Sequence, residues 1–185
     1  MVMLITGLAL FLGMHSVSLI PGLRALFARA IGEGGYKLIY TVLSVVGLAL
    51  IIFGKIQAHP TPNLYYPEEW TRTLALFAIP LSLILLAAAY TPSHIRKVLR
   101  HPMLLAVFIW SGTHLMANGE QASVVLFASF FAWSGLSLIA AYIRGGGKPA
   151  PKGWGGDVTA IVAGALVSAI FARLHPILFG VDIIG

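Results

Sequence analysis

Long apolar runs alternate with short polar breaks along almost the whole chain. The runs cover about residues 2–20, 36–53, 73–90, 102–117, 121–143 and 158–179. Each approaches the roughly 20 residues a helix needs to cross about 30 Å of hydrocarbon, and the fourth is short enough to tilt or re-enter. The pattern predicts an all-α fold, a polytopic transmembrane bundle of about six helices forming one membrane domain over residues 1–185. The breaks are rich in proline and glycine, which end helices by removing an amide donor or by backbone freedom. They fall at Pro21-Gly22, His59-Pro60-Thr61-Pro62-Asn63, Thr91-Pro92-Ser93, Asn118-Gly119 and Gly145-Gly146-Gly147-Lys148-Pro149.

Composition agrees, with 58% hydrophobic and 10% charged residues, too apolar for a water-soluble surface. The lipid bilayer is therefore the first partner. The net charge of +6 has a topological explanation. Arg24, Arg29 and Lys37 fall in the first connection, Arg96, Lys97 and Arg100 in the third, and Arg144, Lys148 and Lys152 in the fifth. The second and fourth hold Lys55, Arg72, Glu68, Glu69 and Glu120, with little net positive charge. The positive-inside rule then puts the odd connections in the cytoplasm and both termini outside. The first run has no basic residues ahead of it and reads as a retained helix, not a cleaved signal. A nucleic-acid partner is not indicated, since no basic patch carries interleaved aromatics on a soluble platform. Cysteine is absent, which removes disulfides, thiolate ligands and covalent haem attachment.

Histidines carry the candidate chemistry. His15, His114 and His175 lie inside apolar runs and His101 stands at the mouth of the fourth; a titratable ring in hydrocarbon needs a partner or a function. Trp110, His114 and Asn118 follow at i, i+4 and i+8, one helical stripe able to pack on a planar ligand while the imidazole reaches it. His101 and His114 point about 140° apart and stand about 20 Å apart along a helix, so they serve different sites. His101, beside Arg100, reads either as a snorkelling cap or as part of a site. His15 has Phe11, Ser18 and Leu19 as helical neighbours. Its ring either donates one hydrogen bond to a nearby carbonyl and does nothing more, or ligates a metal or haem. Depth along the helices, about 8 Å from the inner end for His15 and about 18 Å for His114, sets His15 nearer His101 and His114 nearer His175.

His175-Pro176 reads as a helix end or a third ligand, and His59 and His94 as solvated. Glu68-Glu69-Trp70 reads as an interfacial helix start with an aromatic anchor. Phe127, Phe130, Phe131 and Trp133 are core or lipid-facing. Gly145-Gly146-Gly147-Lys148 lacks the strand and the terminal Ser or Thr of a phosphate-binding loop and reads as a linker.

One ordered set of residues resembles the NnrU family of bacterial membrane proteins: Phe11-Leu12-Gly13-Met14-His15-Ser16, Pro21, Leu23-Arg24, Gly32-Glu33-Gly34 with Tyr36, Arg100-His101-Pro102-Met103-Leu104, Trp110, His114-Leu115, Asn118-Gly119 and Leu126-Phe127. The resemblance covers nearly the entire chain. It implies a multi-pass protein of the bacterial inner membrane, linked to denitrification and nitric oxide metabolism. At His15, Arg100-His101-Pro102 and His114 the chain is also similar to 15-cis-zeta-carotene isomerase, a b-type haem protein with histidine ligation. That enzyme isomerises a cis double bond of a long apolar polyene when its iron is reduced. The likeness implies His15 and His114 as axial metal ligands, Trp110 and Asn118 lining the haem b site with His101 among its binding residues, and a hydrophobic small molecule as substrate.

Two other readings compete. One is a non-catalytic membrane subunit, haem sensor or electron carrier. The other starts from Arg100-His101-Pro102, which also resembles the segment of membrane methyltransferases that holds S-adenosylmethionine. Those enzymes continue with a tyrosine, an arginine and paired glutamates, where this chain has Met103-Leu104 and then Arg144 followed by Gly145 with no acidic pair.

Overall fold

The computed structural model describes residues 1–145, 151 and 153–180. The described residues form seven helices, α1 (Val2–Ser16), α2 (Leu23–Ala58), α3 (Glu69–Ala88), α4 (His94–Leu99), α5 (Pro102–Ala117), α6 (Gln121–Arg144) and α7 (Gly155–Phe179). One isolated antiparallel bridge joins Asn63 to Glu120. Helices α2, α3, α6 and α7 are long and apolar enough to cross a membrane, with mean hydropathies of 2.2, 1.9, 2.0 and 1.8 over their best windows. Of the six spans the pattern predicts, four therefore become helices of crossing length. Helices α1 and α5, with 15 and 16 residues, are apolar but rise only about 23 Å.

The departures have local causes. Helix α1 stops at Ser16, four residues early, because Pro21 disfavours helical backbone at Ile20. The chain leaves it through tight turns, Val17 N–H to the Met14 carbonyl and Leu19 N–H to the Ser16 carbonyl. The first connection is shorter than expected, since helix resumes at Leu23 and carries Arg24, Arg29 and Lys37. At Gly32 the backbone turns through φ 76° and ψ 156°, a region only glycine enters cheaply, and α2 changes direction there. The third connection contains α4. The glycine-rich linker lies outside the described residues from residue 146 to 150, and Lys152 with it.

Two compact units divide the chain: Met1–Tyr66 with Asn118–Trp133, and Pro67–Ala117 with Ser134–Gly185. In the first, α1 packs along α2 around Leu4, Leu8, Ile51 and Ala122. Glycines set the spacing. A Cβ at Gly7 would fall 2.6 Å from the Ile51 nitrogen, one at Gly47 would fall 2.8 Å from the Phe11 nitrogen, and one at Gly54 would overlap the Leu4 backbone. Such backbone approach is how helices associate where lipid tails compete with every apolar side chain.

In the second unit α3 packs on α5 and α7, and most of the buried residues are small, among them Ser82, Ala88, Ala106, Ser111, Ser137 and Ala160. The Ser82 and Ser111 hydroxyls fold back on their own helices, Ser82 to the Ile79 carbonyl at 2.8 Å and Ser111 to the Val107 carbonyl at 2.6 Å. Large apolar residues point outward, among them Phe77 at 73% and Ile177 at 79% exposure. Small polar groups inside and bulky apolar groups outside is the reverse of a water-soluble protein.

Glycine contact predicts an ordered pair of outcomes. Gly54→Ala, which forces α1 off α2, should cost about 1–3 kcal/mol and lower the thermal unfolding midpoint in detergent. Gly34→Ala, where a Cβ meets nothing within 4 Å, should leave the midpoint unchanged or raise it through better helix propensity.

Candidate functional site

In the first unit His15 sits in an aromatic cluster. Its Nδ1 donates to the Phe11 carbonyl at 2.7 Å, one turn back. The ring stacks on Phe11 at 4.2 Å, lies 5.3 Å from Tyr40 and meets Trp133 edge-on at 5.9 Å. Trp133 Nε1 donates to Ser16 Oγ at 3.1 Å, and that hydroxyl donates to the Leu12 carbonyl at 2.7 Å. Along α2 the cluster continues through Tyr36, 6.1 Å from Tyr40, to Arg24, whose guanidinium lies 5.5 Å from the Tyr36 ring and pairs with Glu33 at 2.9 Å. A carbonyl cannot donate, so Nδ1 carries a proton, which leaves Nε2 as the nitrogen on which a metal-binding lone pair would sit. The expected hydrogen bond from this ring to a carbonyl is present. Beside it, a groove of ≈ 330 Å³ runs between α1 and the start of α6, lined by Leu8, Leu12, Gly13, Ser16, Val125 and Ser129.

In the second unit His114 repeats the arrangement. Its Nδ1 donates to the Trp110 carbonyl at 2.9 Å and the two rings lie 5.2 Å apart. His175, on α7, lies close enough to interact with it electrostatically. Helix α5 ends at Ala117, so Asn118 falls in the following turn and belongs to the first unit, where its carbonyl accepts from the Tyr65 hydroxyl at 2.9 Å. His101 meets Tyr142 edge-on at 5.3 Å, and its Nε2 is buried with no hydrogen-bond partner among the described residues. The preceding Arg100 has φ 58°, a backbone strain of about 1–3 kcal/mol that non-glycine residues rarely carry. The expected site residues thus divide. His15 and Asn118 are in the first unit, and Trp110, His114 and His101 in the second. Among the described residues no three His, Asp or Glu side chains form a metal-binding group.

Sequence reasoning missed two carboxylates. Glu120, just ahead of α6, accepts from Lys55 Nζ at 2.7 Å, His59 Nδ1 at 2.9 Å, Thr61 N–H at 2.9 Å and Thr61 Oγ1 at 3.0 Å, with Ser123 Oγ at 3.3 Å. Burial pushes its carboxyl up, but the Lys55, Thr61 and His59 donors and the Lys55 charge outweigh burial and hold its pKa at about 2. Asp157, in the first turn of α7, accepts from the backbone N–H of His94 and of Ile95, each at 3.1 Å, and from His94 Nδ1 at 2.8 Å. His94 also packs against the tilted Trp154 ring at 4.3 Å, so its reading as solvated is corrected. His59 is 67% exposed but is held by Glu120. The available signal was an acid standing alone at the start of an apolar run, where a helix N-terminus and loop donors converge.

Helices of crossing length, bulky apolar residues outward and small hydroxyls buried between the helices define a multi-pass integral membrane protein. The chain belongs to the NnrU protein family, whose match spans residues 3–183. No curated protein and no solved structure matched the chain.

The Glu120 cluster predicts acid sensitivity. A carboxyl at about 2 when folded, against 4.5 unperturbed, adds stability that is full above about pH 4.5 and lost as pH falls towards 2. The unfolding midpoint of the wild type should drop across that window. Glu120→Gln should start lower and titrate less there, which unfolding curves at stepped pH would check.

Proposed function

We propose that this protein binds b-type haem through neutral imidazoles and acts on a long hydrophobic molecule, with redox-dependent isomerisation of a polyene as the reaction. The observation that carries the reading is the shared posture of His15 and His114. Each gives its Nδ1 proton to the carbonyl one turn back, which fixes the ring and makes Nε2 the lone-pair nitrogen. Ligating histidines are oriented in this way, by a second-shell acceptor on the other ring nitrogen. The donor set fits the cofactor: imidazoles in apolar helices, Trp110 beside His114, and no cysteine for covalent attachment. Haem would supply a redox-active iron whose ligation changes with oxidation state.

The chain's own residues would do the rest. The apolar groove along α1 suits a hydrocarbon chain, and its Ser16 end is tied through Trp133 to His15. Acid–base chemistry by carboxylates is disfavoured, since Glu120 and Asp157 are committed to several donors each. A bacterial inner-membrane location, an orientation with the termini outside and a link to nitric oxide metabolism belong to the same proposal.

The test is the absorbance of protein purified in mild detergent, oxidised and reduced, with a pyridine haemochrome count. A sharp reduced b-type spectrum supports the proposal, and a colourless folded protein from haem-replete cells sinks it. His114→Ala should abolish or shift the band and His94→Ala should not. Single variants His15→Ala and His175→Ala then report which further imidazole would hold the haem. Product analysis with a cis-polyene separates an isomerase from an electron carrier, which returns the polyene unchanged.

A further inference from the structure

Helix α4 has six residues, too few to hold itself together, yet it is fixed at both ends. At its start Ser93 Oγ accepts from Arg96 N–H at 3.1 Å, and Asp157 takes the His94 and Ile95 amides. At its end the Tyr142 hydroxyl donates to the Leu99 carbonyl at 2.8 Å. A short helix pinned to α7 at one end and to α6 at the other presents its side chains from a rigid backbone. Those side chains are Arg96 and Lys97, with Arg100 at the C-cap and Arg144 closing α6 two residues beyond Tyr142.

None of these four cations makes an ion pair among the described residues. The carboxylate that anchors α4, Asp157, is taken up by His94 and two backbone amides. The surface is thus a rigid, uncompensated positive patch. Its other residues identify what covers it. Val98 and Ile143, set among the cations, are 74% and 81% exposed, and Trp154 is 70% exposed. A free phosphate or a nucleic acid would leave those apolar groups in water. A phospholipid covers both kinds, with phosphate on the guanidinium and ammonium groups, acyl chain on Val98 and Ile143, and the boundary at Trp154 and Tyr142, where interfacial aromatics sit.

We propose that the surface formed by α4, the end of α6 and the start of α7 binds the phosphate headgroups of anionic phospholipids. The test places the purified full-length protein in nanodiscs of equal phosphatidylglycerol and phosphatidylcholine and counts the lipids it retains by native mass spectrometry. The wild type should retain phosphatidylglycerol several-fold over phosphatidylcholine. Lys97→Gln/Arg144→Gln, at exposed positions, should lower that ratio by roughly a factor of five per cation until it approaches one. Arg96→Lys/Arg100→Lys/Arg144→Lys, which keeps the charge, should preserve it, as should Arg29→Gln/Lys37→Gln on α2. An unchanged ratio in Lys97→Gln/Arg144→Gln overturns the proposal. So does an equal loss in the α2 variant, which would make the preference one of net charge alone. Displacement of the retained lipid by inorganic phosphate would also overturn it, making this a site for soluble anions.

Discussion

A polar group withdrawn from water into a membrane protein has only the chain itself to bond to, and an unpaired one costs more there than at any wetted surface. The structure is arranged around that demand. Each unit contains a carboxylate that answers it by collecting donors from segments far apart in sequence. In the first, Glu120 draws in Lys55 from the end of α2 and His59 and Thr61 from the following loop. In the second, Asp157 draws in the start of α4. Both sit where a helix begins, so the unpaired amides and the dipole of the helix favour the negative charge. The connections are therefore built parts of each unit, tied to the helices through these carboxylates.

The same demand shapes the helix contacts. Hydroxyls of Ser82 and Ser111 satisfy themselves on their own helices and remain small enough to bury. Gly7, Gly47 and Gly54 let α1 lie on the backbone of α2, which sets Phe11 over Gly47 and His15 against Tyr40. The position of the His15 ring thus depends on contacts made one to three turns away. His15 and His114 satisfy one ring nitrogen locally and by the same device, a carbonyl on the preceding turn.

Much of this was legible in the sequence, for identifiable reasons. The apolar runs located α5 to the residue and α6 and α7 within three residues, because Asn118-Gly119 and Pro102 are unambiguous stops. His15 and His114 were conspicuous because charge-capable residues are rare in such runs. What the pattern could not carry was anything set by tertiary pairing. The basic run after Pro21 read as a loop because its charge masked its periodicity, yet Leu23 to Ile31 is helix. His94 read as solvated because its partner lies 63 residues away. Glu120 stood out only as a lone acid at a helix start, and its partners stayed hidden because they come from the end of α2 and a loop whose path no local rule predicts. Asn118 was assigned to the stripe of His114 by extending a helical count past the residue where the helix stops.

The bend at Gly32 has a consequence at the level of the gene. A backbone at φ 76° and ψ 156° is open to glycine and nearly closed to every other residue. From a glycine codon, a single base change at the first or second position leads to alanine, valine, serine, cysteine, tryptophan, arginine, aspartate or glutamate, or to a stop. None of these residues has access to that conformation. The change of direction in α2 therefore has no mutational neighbour, and a lineage keeps it whole or loses it in one step. Two residues on, Gly34 lies in ordinary helix with open space around its Cα, so drift there meets no such barrier.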